Sequence, residues 1–278
     1  MKISKPIKDC SFAVYGLGLS GNSAFKFLKK KNIQTIYTWD DKKNKNDIKK
    51  FILFKKALDK VDYIIISPGI SIKKTKFKLK LLKNKRKIIT DLDLFYMQNM
   101  RVKSIVITGT NGKSTACSLI QHILKMSRHD VQFGGNIGKP VLDLKITKKT
   151  TVIIEASSFQ LEYAKFIKPN FAVILNISND HLDWHKTIAN YRKSKFNIFS
   201  IQDINDIAIL NNKKLINIFI KKNYLSKLRV IKNNFLSSKI KKKIINKYLI
   251  LEPNLENLSF AYEISKLFMV KEKIFLKA

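Results

Sequence analysis

The chain has 278 residues, 45% of them hydrophobic; this leaves room for two domains with a core each and excludes an intrinsically disordered chain. Its formal charge of +35 would normally point to nucleic acid, but the basic residues are fifty Lys against five Arg, scattered with Asn and Ile rather than grouped with aromatics as on nucleic-acid surfaces. A compositional bias is the simpler reading, and no nucleic-acid partner is expected. No apolar run is long enough to span a bilayer, and the N-terminal MKISKPIKDC lacks the apolar middle of a signal peptide. Cys10 and Cys117 stand far apart without metal spacing. These features predict a cytoplasmic protein with no membrane insertion, disulfide framework or zinc.

Strands and helices alternate from the start. Residues 11–15 read as a short strand that enters Gly16-Leu17-Gly18-Leu19-Ser20-Gly21, a literal G-x-G-x-x-G, and then a helix carrying Ala24, Phe25 and Leu28. A second strand, 33–38, ends at Asp40, about twenty residues past the glycines, where a dinucleotide site puts its ribose-binding carboxylate. Further strands at 63–66, running into Ser67-Pro68-Gly69, and at 87–90 make residues 1–98 a Rossmann-like, doubly wound α/β domain. The fingerprint does not name its diphosphate. NAD and UDP offer the same pyrophosphate and ribose to a helix N-terminus, and a tight turn that holds no ligand is a third reading.

Residues 99–278 open with a buried strand at 105–107 that runs into Gly109-Thr110-Asn111-Gly112-Lys113-Ser114-Thr115. The helix that follows shows one apolar face, Ala116, Leu119, Ile120, Ile123 and Leu124. This is a phosphate cradle: the glycines let the backbone aim N–H groups at an anion, Lys113 reaches a β/γ-phosphate, and Ser114 or Thr115 holds Mg²⁺. The generic loop has its first glycine where this chain has Ile107, so the form is a compressed one. Downstream, Gly134, Gly135 and Gly138 are too closely spaced for an element interior and predict a loop of close backbone approach. A strand at 151–154 ends on Glu155, placed to meet Mg²⁺. Another strand, 171–175, leads to Asp180, His181 and Asp183; His181 there is either a metal or phosphate ligand or a capping histidine, and its spacing to His185 lacks the Glu of a zinc helix. On the helix expected over 187–200, Lys195 falls on the apolar stripe, where it either snorkels or is chemically altered to serve a buried site. Residues 211–254 are poor in glycine and motifs, and their pattern by itself assigns no function.

Seven strings, 16–21, 67–70, 109–115, 134–138, 155–162, 179–183 and 191–195, occur in the order seen in the Mur ligase family, which forms amide bonds by ATP-driven carboxylate activation. The compressed phosphate loop also resembles that family's. Glu155-Ala-Ser-Ser-Phe-Gln-Leu-Glu162 and Gly134-Gly-Asn-Ile-Gly138 are similar to the members that add D-glutamate to UDP-N-acetylmuramoyl-L-alanine in peptidoglycan precursor synthesis.

The resemblance implies a UDP-sugar-binding domain over 1–98 and a P-loop-type α/β central ATPase domain over 99–278. It implies that Gly18, Leu19, Ser20, Asp40, Asp41, Lys42, Ser67 and Gly69 line the UDP-sugar pocket, with Asn136 and His181 at its far end. Residues 109–115 and Asn254 would bind ATP. Lys113, Glu155, His181 and Lys195 would be catalytic, with one Mg²⁺ on Ser114 and Glu155 and a second on His181 and a carbamylated Lys195. The family's third, C-terminal domain is expected to be absent from this chain, full turnover is therefore not expected of it, and it is expected to act as a monomer. Another Mur or folylpolyglutamate-type ligase, or a non-catalytic nucleotide-binding module that retains the loops, is the alternative.

Overall fold

The computed structural model describes residues 5–231, 238–252 and 254–278. The chain divides into two compact units: Met1–Met100 with Pro140–Asp143 and Phe159–Ile167, and Arg101–Lys139 with Leu144–Ser158 and Lys168–Ala278.

The first unit holds β1 (Phe12–Tyr15), α1 (Leu19–Lys30), β2 (Ile36–Trp39), α2 (Ile48–Lys60), β3 (Tyr63–Ile66), α3 (Lys78–Lys83), β4 (Ile88–Ile89) and α4 (Asp91–Gln98). The sheet order is β2-β1-β3-β4, with every pairing parallel. Both faces of the sheet are covered, which is why its strands are unbroken apolar runs. Ala13, Tyr15, Ile64 and Ile66 pack against Phe54 and Leu58 of α2 and Leu81 of α3. Phe12, Val14 and Ile65 pack against Leu28 of α1 and against Leu94 and Met97 of α4.

The strand expected over 33–38 begins at Ile36. The cause is the end of α1: Asn32 adopts φ 54°, its N–H bonds Lys29 O, and Ile33 N–H reaches back to Leu28 O, a Schellman closure that uses up the first residues of the expected strand. Residues 159–167 are tied into this unit by two buried carboxylates. Asp93, which closes a capping box with Thr90, accepts from Lys165 N and Phe166 N at 2.7 Å each. Asp91 accepts from Gln160 Nε2 at 3.1 Å.

The second unit holds β5 (Lys103–Thr108), α5 (Lys113–Met126), β6 (Val131–Gly135), β7 (Thr151–Glu155), the start of α6 (Ser158–Tyr163), β8 (Phe171–Ile174), α7 (Leu182–His185), α8 (Ile188–Phe196), β9 (Ile207–Leu210), α9 (Lys213–Lys221), β10 (Lys227–Val230), α10 (Ser238–Lys243), α11 (Asn254–Leu267) and α12 (Glu272–Lys277). Its sheet is also parallel, ordered β10-β9-β8-β5-β7-β6. The carboxyl ends of the central strands β7, β5 and β8 lie side by side, where an open α/β sheet binds its ligand. The expectation of a loop at Gly134 and Gly135 is corrected, because both lie in the edge strand β6. The close approach is nevertheless the reason they are glycines: a Cβ on Gly134 would stand 2.3 Å from Lys139 O, and one on Gly135 2.3 Å from Glu155 O.

Candidate active site

In the second unit β5 delivers the chain to residues 109–112, and α5 starts at Lys113 with Gly112 in the left-handed region at φ 81°. A side chain at Gly112 is excluded twice, by that φ and by Asn257 Oδ1, 2.3 Å from where its Cβ would lie. The loop is held from β8. Thr110 N donates to Asn176 O at 3.0 Å and Asn111 N to Asn176 Oδ1 at 2.9 Å. Asn176 in turn donates to Glu256 of α11, which also takes Asn211, both at 2.8 Å. Lys113 curls over the loop and donates to Gly109 O at 3.0 Å and Thr110 O at 2.8 Å. Ser114 follows at the head of a helix whose N-terminal N–H groups and dipole favour an anion.

Glu155, at the end of β7, is completely buried. Its carboxylate accepts from Ser114 Oγ at 2.7 Å and from Asn136 Nδ2 at 3.3 Å, while Asn136 N donates to Glu155 O at 2.8 Å. The strand pairing puts Glu155 opposite both Ile107 and Gly135, so the hydroxyl of one loop, the amide of another and a carboxylate converge by sheet register. Hydroxyl and carboxylate oxygens are hard donors of the kind Mg²⁺ takes, so these two residues fit the ion. Among the described residues no group of three or more His, Cys, Asp or Glu has the arrangement of a metal site.

Lys195 of α8 is 1% exposed and does not snorkel. Its Nζ donates to Gly109 O at 2.7 Å and lies 4.6 Å from the centre of the Tyr191 ring. Burial lowers its pKa, the Lys113 ammonium pushes the same way and Asp180 opposes, leaving it at about 7. Near neutrality a substantial share of the amine is therefore neutral and able to act as a nucleophile. Tyr191 organises this corner, with its hydroxyl 3.2 Å from Thr110 Oγ1 and its ring packed on His185 and His181 at 5.2 and 6.1 Å. His181 is half-exposed, sits at φ 50° ahead of α7 and faces Asp180 Oδ2 at 3.4 Å. Tyr191 stands beside both His181 and Lys195.

Asn254 opens α11, buried, and donates to Tyr248 O at 3.4 Å. Asn257, one turn on and on the same face, was not singled out from the sequence. Its buried Oδ1 has no hydrogen-bond partner among the described residues and adjoins the phosphate loop. The signal was present as Asn-x-x-Asn at helical spacing. Tyr191, Asn176 and Glu256 were also not assigned roles.

In the first unit the glycine turn is internally satisfied. Gly16 is at φ 88°, and Ser67 Oγ donates to its carbonyl at 2.8 Å. Gly18 is the residue before α1, with nothing near its Cβ position, and Leu19 is 80% exposed. Asp40 accepts from Leu17 N at 2.7 Å and from Lys42 N and Lys43 N at 3.0 Å each. Asp41 takes Tyr15 OH at 2.6 Å and Trp39 Nε1 at 2.8 Å. Ser20 contacts the buried Asp91. Gly69 lies in the turn after β3, where Ile70 N returns to Ser67 O at 3.0 Å.

Fold and loop together define a parallel α/β protein with a P-loop-type anion cradle at the carboxyl edge of its sheet. Residues 107–270 match the description Mur ligase middle domain. The chain is 38% identical over 202 residues to the UDP-N-acetylmuramoylalanine--D-glutamate ligase of Aquifex aeolicus (strain VF5), covering 72% of this chain and 46% of that protein. It is 32% identical to the enzyme of the same name from Rickettsia prowazekii (strain Madrid E), over 98% of this chain and 66% of that one. The first of these shows that the chain spans about half the length of a curated relative it matches. In fold it resembles the MurF ligase of Thermotoga maritima solved in complex with ADP, with a TM-score of 0.51 over 99% of this chain and 67% of that one at 12% identity. This chain belongs to the Mur ligase family.

Proposed function

We propose that this chain carries the nucleotide and UDP-sugar sites for ATP-dependent addition of D-glutamate to UDP-N-acetylmuramoyl-L-alanine in peptidoglycan precursor synthesis. The reading rests on one juxtaposition: the buried Ser114–Glu155 pair beside a loop carbonyl, Gly109 O, that both Lys113 and Lys195 grip, in a chain that resembles two relatives named for this reaction. ATP would lie with its phosphates on residues 109–115 and its adenine near Asn254. Lys113 would neutralise charge on the transferring phosphoryl group, and Ser114 and Glu155 would hold a Mg²⁺ that supplies further neutralisation; phosphoryl transfer depends mainly on such positioning and charge balance. The substrate carboxylate attacks the γ-phosphorus and ADP leaves, giving an acyl phosphate. The amine of D-glutamate then attacks the acyl carbon, phosphate leaves, and the amine proton passes to solvent.

Lys195, as a neutral amine, adds CO₂ and loses a proton to become a carbamate. With His181 it would then support a second Mg²⁺. The UDP-sugar would be held by Gly18, Leu19, Ser20, Asp40, Asp41, Lys42, Ser67 and Gly69, with Asn136 and His181 toward the muramoyl end. Titrating the chain with ADP, with and without Mg²⁺, and with UDP-N-acetylmuramoyl-L-alanine tests this reading. Mg²⁺-strengthened ADP binding that Lys113→Ala weakens about a hundredfold supports it. Absence of ADP binding, or binding of NAD in place of the UDP-sugar, overturns it.

A further inference from the structure

We propose that the outward face of α2 and α3 is a docking surface for an anionic phospholipid bilayer. Both helices cover the same side of the first sheet, because Phe54, Ala57 and Leu58 of α2 and Leu81 of α3 enter one core with Tyr15, Ile64 and Ile66. Asp59 of α2 pairs with Lys80 of α3 and accepts from Asn84 Nδ2 at 2.8 Å. Their outer surfaces therefore point the same way. Those surfaces are unlike ordinary solvated helix: Leu79 is 81% exposed and Ile48 73%, with Ile52, Leu53 and Leu82 also exposed. Single exposed aliphatics are commonplace, but five on two adjoining helices mark an interaction face.

The charge around them is not the chain's average. Seventeen of the thirty-four residues in 42–60 and 73–87 are Lys or Arg, against about one in six elsewhere. The compositional bias that runs through the sequence is thus concentrated about threefold in these two segments. Residues 63–90 contain no Asp or Glu, and the two acids within 42–60 are engaged: Asp47 caps α2 by accepting from Lys50 N at 2.9 Å, and Asp59 joins the helices as described. Aliphatic side chains set among lysines suit the boundary between headgroups and acyl chains. There the apolar groups lose water and each Lys near an anionic surface adds electrostatic attraction.

Nucleic acid fits less well. Sixteen of the seventeen cations are Lys, and the aromatic residues of the two helices and the turn between them, Phe51, Phe54 and Phe77, pack into the core, so no ring is offered to a base. No helix among the described residues is long and apolar enough to cross a membrane, so the association is peripheral.

The test is co-sedimentation of the full chain with vesicles of phosphatidylcholine alone and of phosphatidylcholine with phosphatidylglycerol. Binding is expected only to the second kind, weakening as salt is raised. Ile52→Glu with Leu79→Glu, at exposed positions, should lower vesicle affinity about tenfold, and Lys49→Gln with Lys56→Gln should do so without any new carboxylate. Lys213→Gln with Lys221→Gln on α9 changes the net charge equally and should leave binding unchanged. Equal loss in the α9 variant, or no loss in both face variants, overturns the proposal. So does tighter binding of duplex DNA that the face substitutions abolish, because the occupant would then be nucleic acid. Circular dichroism confirms that each variant folds.

Discussion

The glycine turns that follow β1 and β5 stand at equivalent places in two parallel sheets, yet their polar groups are balanced differently. After β1, a carboxylate, Asp40, takes three backbone N–H groups of its own neighbourhood, and a hydroxyl, Ser67, takes the Gly16 carbonyl. After β5, two lysine side chains, Lys113 and Lys195, share Gly109 O, and the adjacent carboxylate, Glu155, is bound to Ser114 and Asn136. The first turn is closed by internal pairing. The second gathers basic groups that an incoming polyphosphate would meet, and the depressed pKa of Lys195 reflects its burial first and the neighbouring Lys113 ammonium second. A glycine fingerprint therefore reports backbone geometry, whereas the surrounding charges report what the turn is built to meet.

The largest effect that sharpens this contrast is steric. A Cβ on Gly21 would stand 1.8 Å from Gly16 O and 2.5 Å from Ser67 Oγ, so Gly21→Ala should cost upwards of about 3 kcal/mol in denaturant unfolding. Gly18→Ala, with open space and φ −71°, should stay within about 0.5 kcal/mol. Equal effects of the two would mean that the first turn is not organised by packing. Next comes Lys113→Ala, which should weaken ADP binding about a hundredfold, or roughly 2.7 kcal/mol. By removing the ammonium that repels Lys195, it should also raise the Lys195 pKa above about 7, readable by NMR of isotope-labelled lysine.

A third experiment isolates stability at the second turn. The folded-state pKa of Lys195, about 7, lies below the ordinary lysine value, so between about pH 7 and 10 the unfolded chain binds the extra proton and stability rises with pH. Below pH 7 the burial penalty is complete. In CO₂-free buffer Lys195→Met should accordingly stabilise the chain by about 2 kcal/mol at pH 6, with the gain shrinking toward pH 10. A gain independent of pH would indicate improved packing instead.

The sequence carried those features that are written in local spacing. The parallel strands are apolar runs, and the phosphate loop with its helix lies within fifteen residues, so β5, Gly112 and the buried face of α5 are where the pattern predicts them. Glu155 was legible because an apolar run stops on it at a strand end. What escaped was set by partners distant in sequence. Gly134 and Gly135 belong to a strand because they pair with Ile154 and Glu155 of β7, and Tyr191 stands at the crossing of Thr110, His185 and Lys195 only after three segments meet. Likewise 159–167 joins the first unit through Asp91 and Asp93, carboxylates that in sequence look like no more than a helix start.

The smallest effect concerns Asp40, where the fingerprint suggests ribose recognition and the geometry shows loop support. Burial works against its charge, but the N–H groups of Leu17, Lys43 and Lys42 outweigh it and hold the carboxyl below the usual range. A carboxylate whose pKa is lowered by folding contributes stability above its unfolded value, and that contribution disappears as pH falls through the folded one. Asp40→Asn keeps the shape and removes the charge, so it should cost about 1 kcal/mol at pH 7, with the difference from the parent chain closing as pH falls through the lowered carboxyl pKa. If unfolding is unchanged at pH 7 while UDP-sugar affinity falls, the carboxylate acts on the ligand and the first turn is less self-contained than its hydrogen bonds imply. If stability falls and affinity follows only in proportion to the folded fraction, Asp40 holds the turn that the ligand would use.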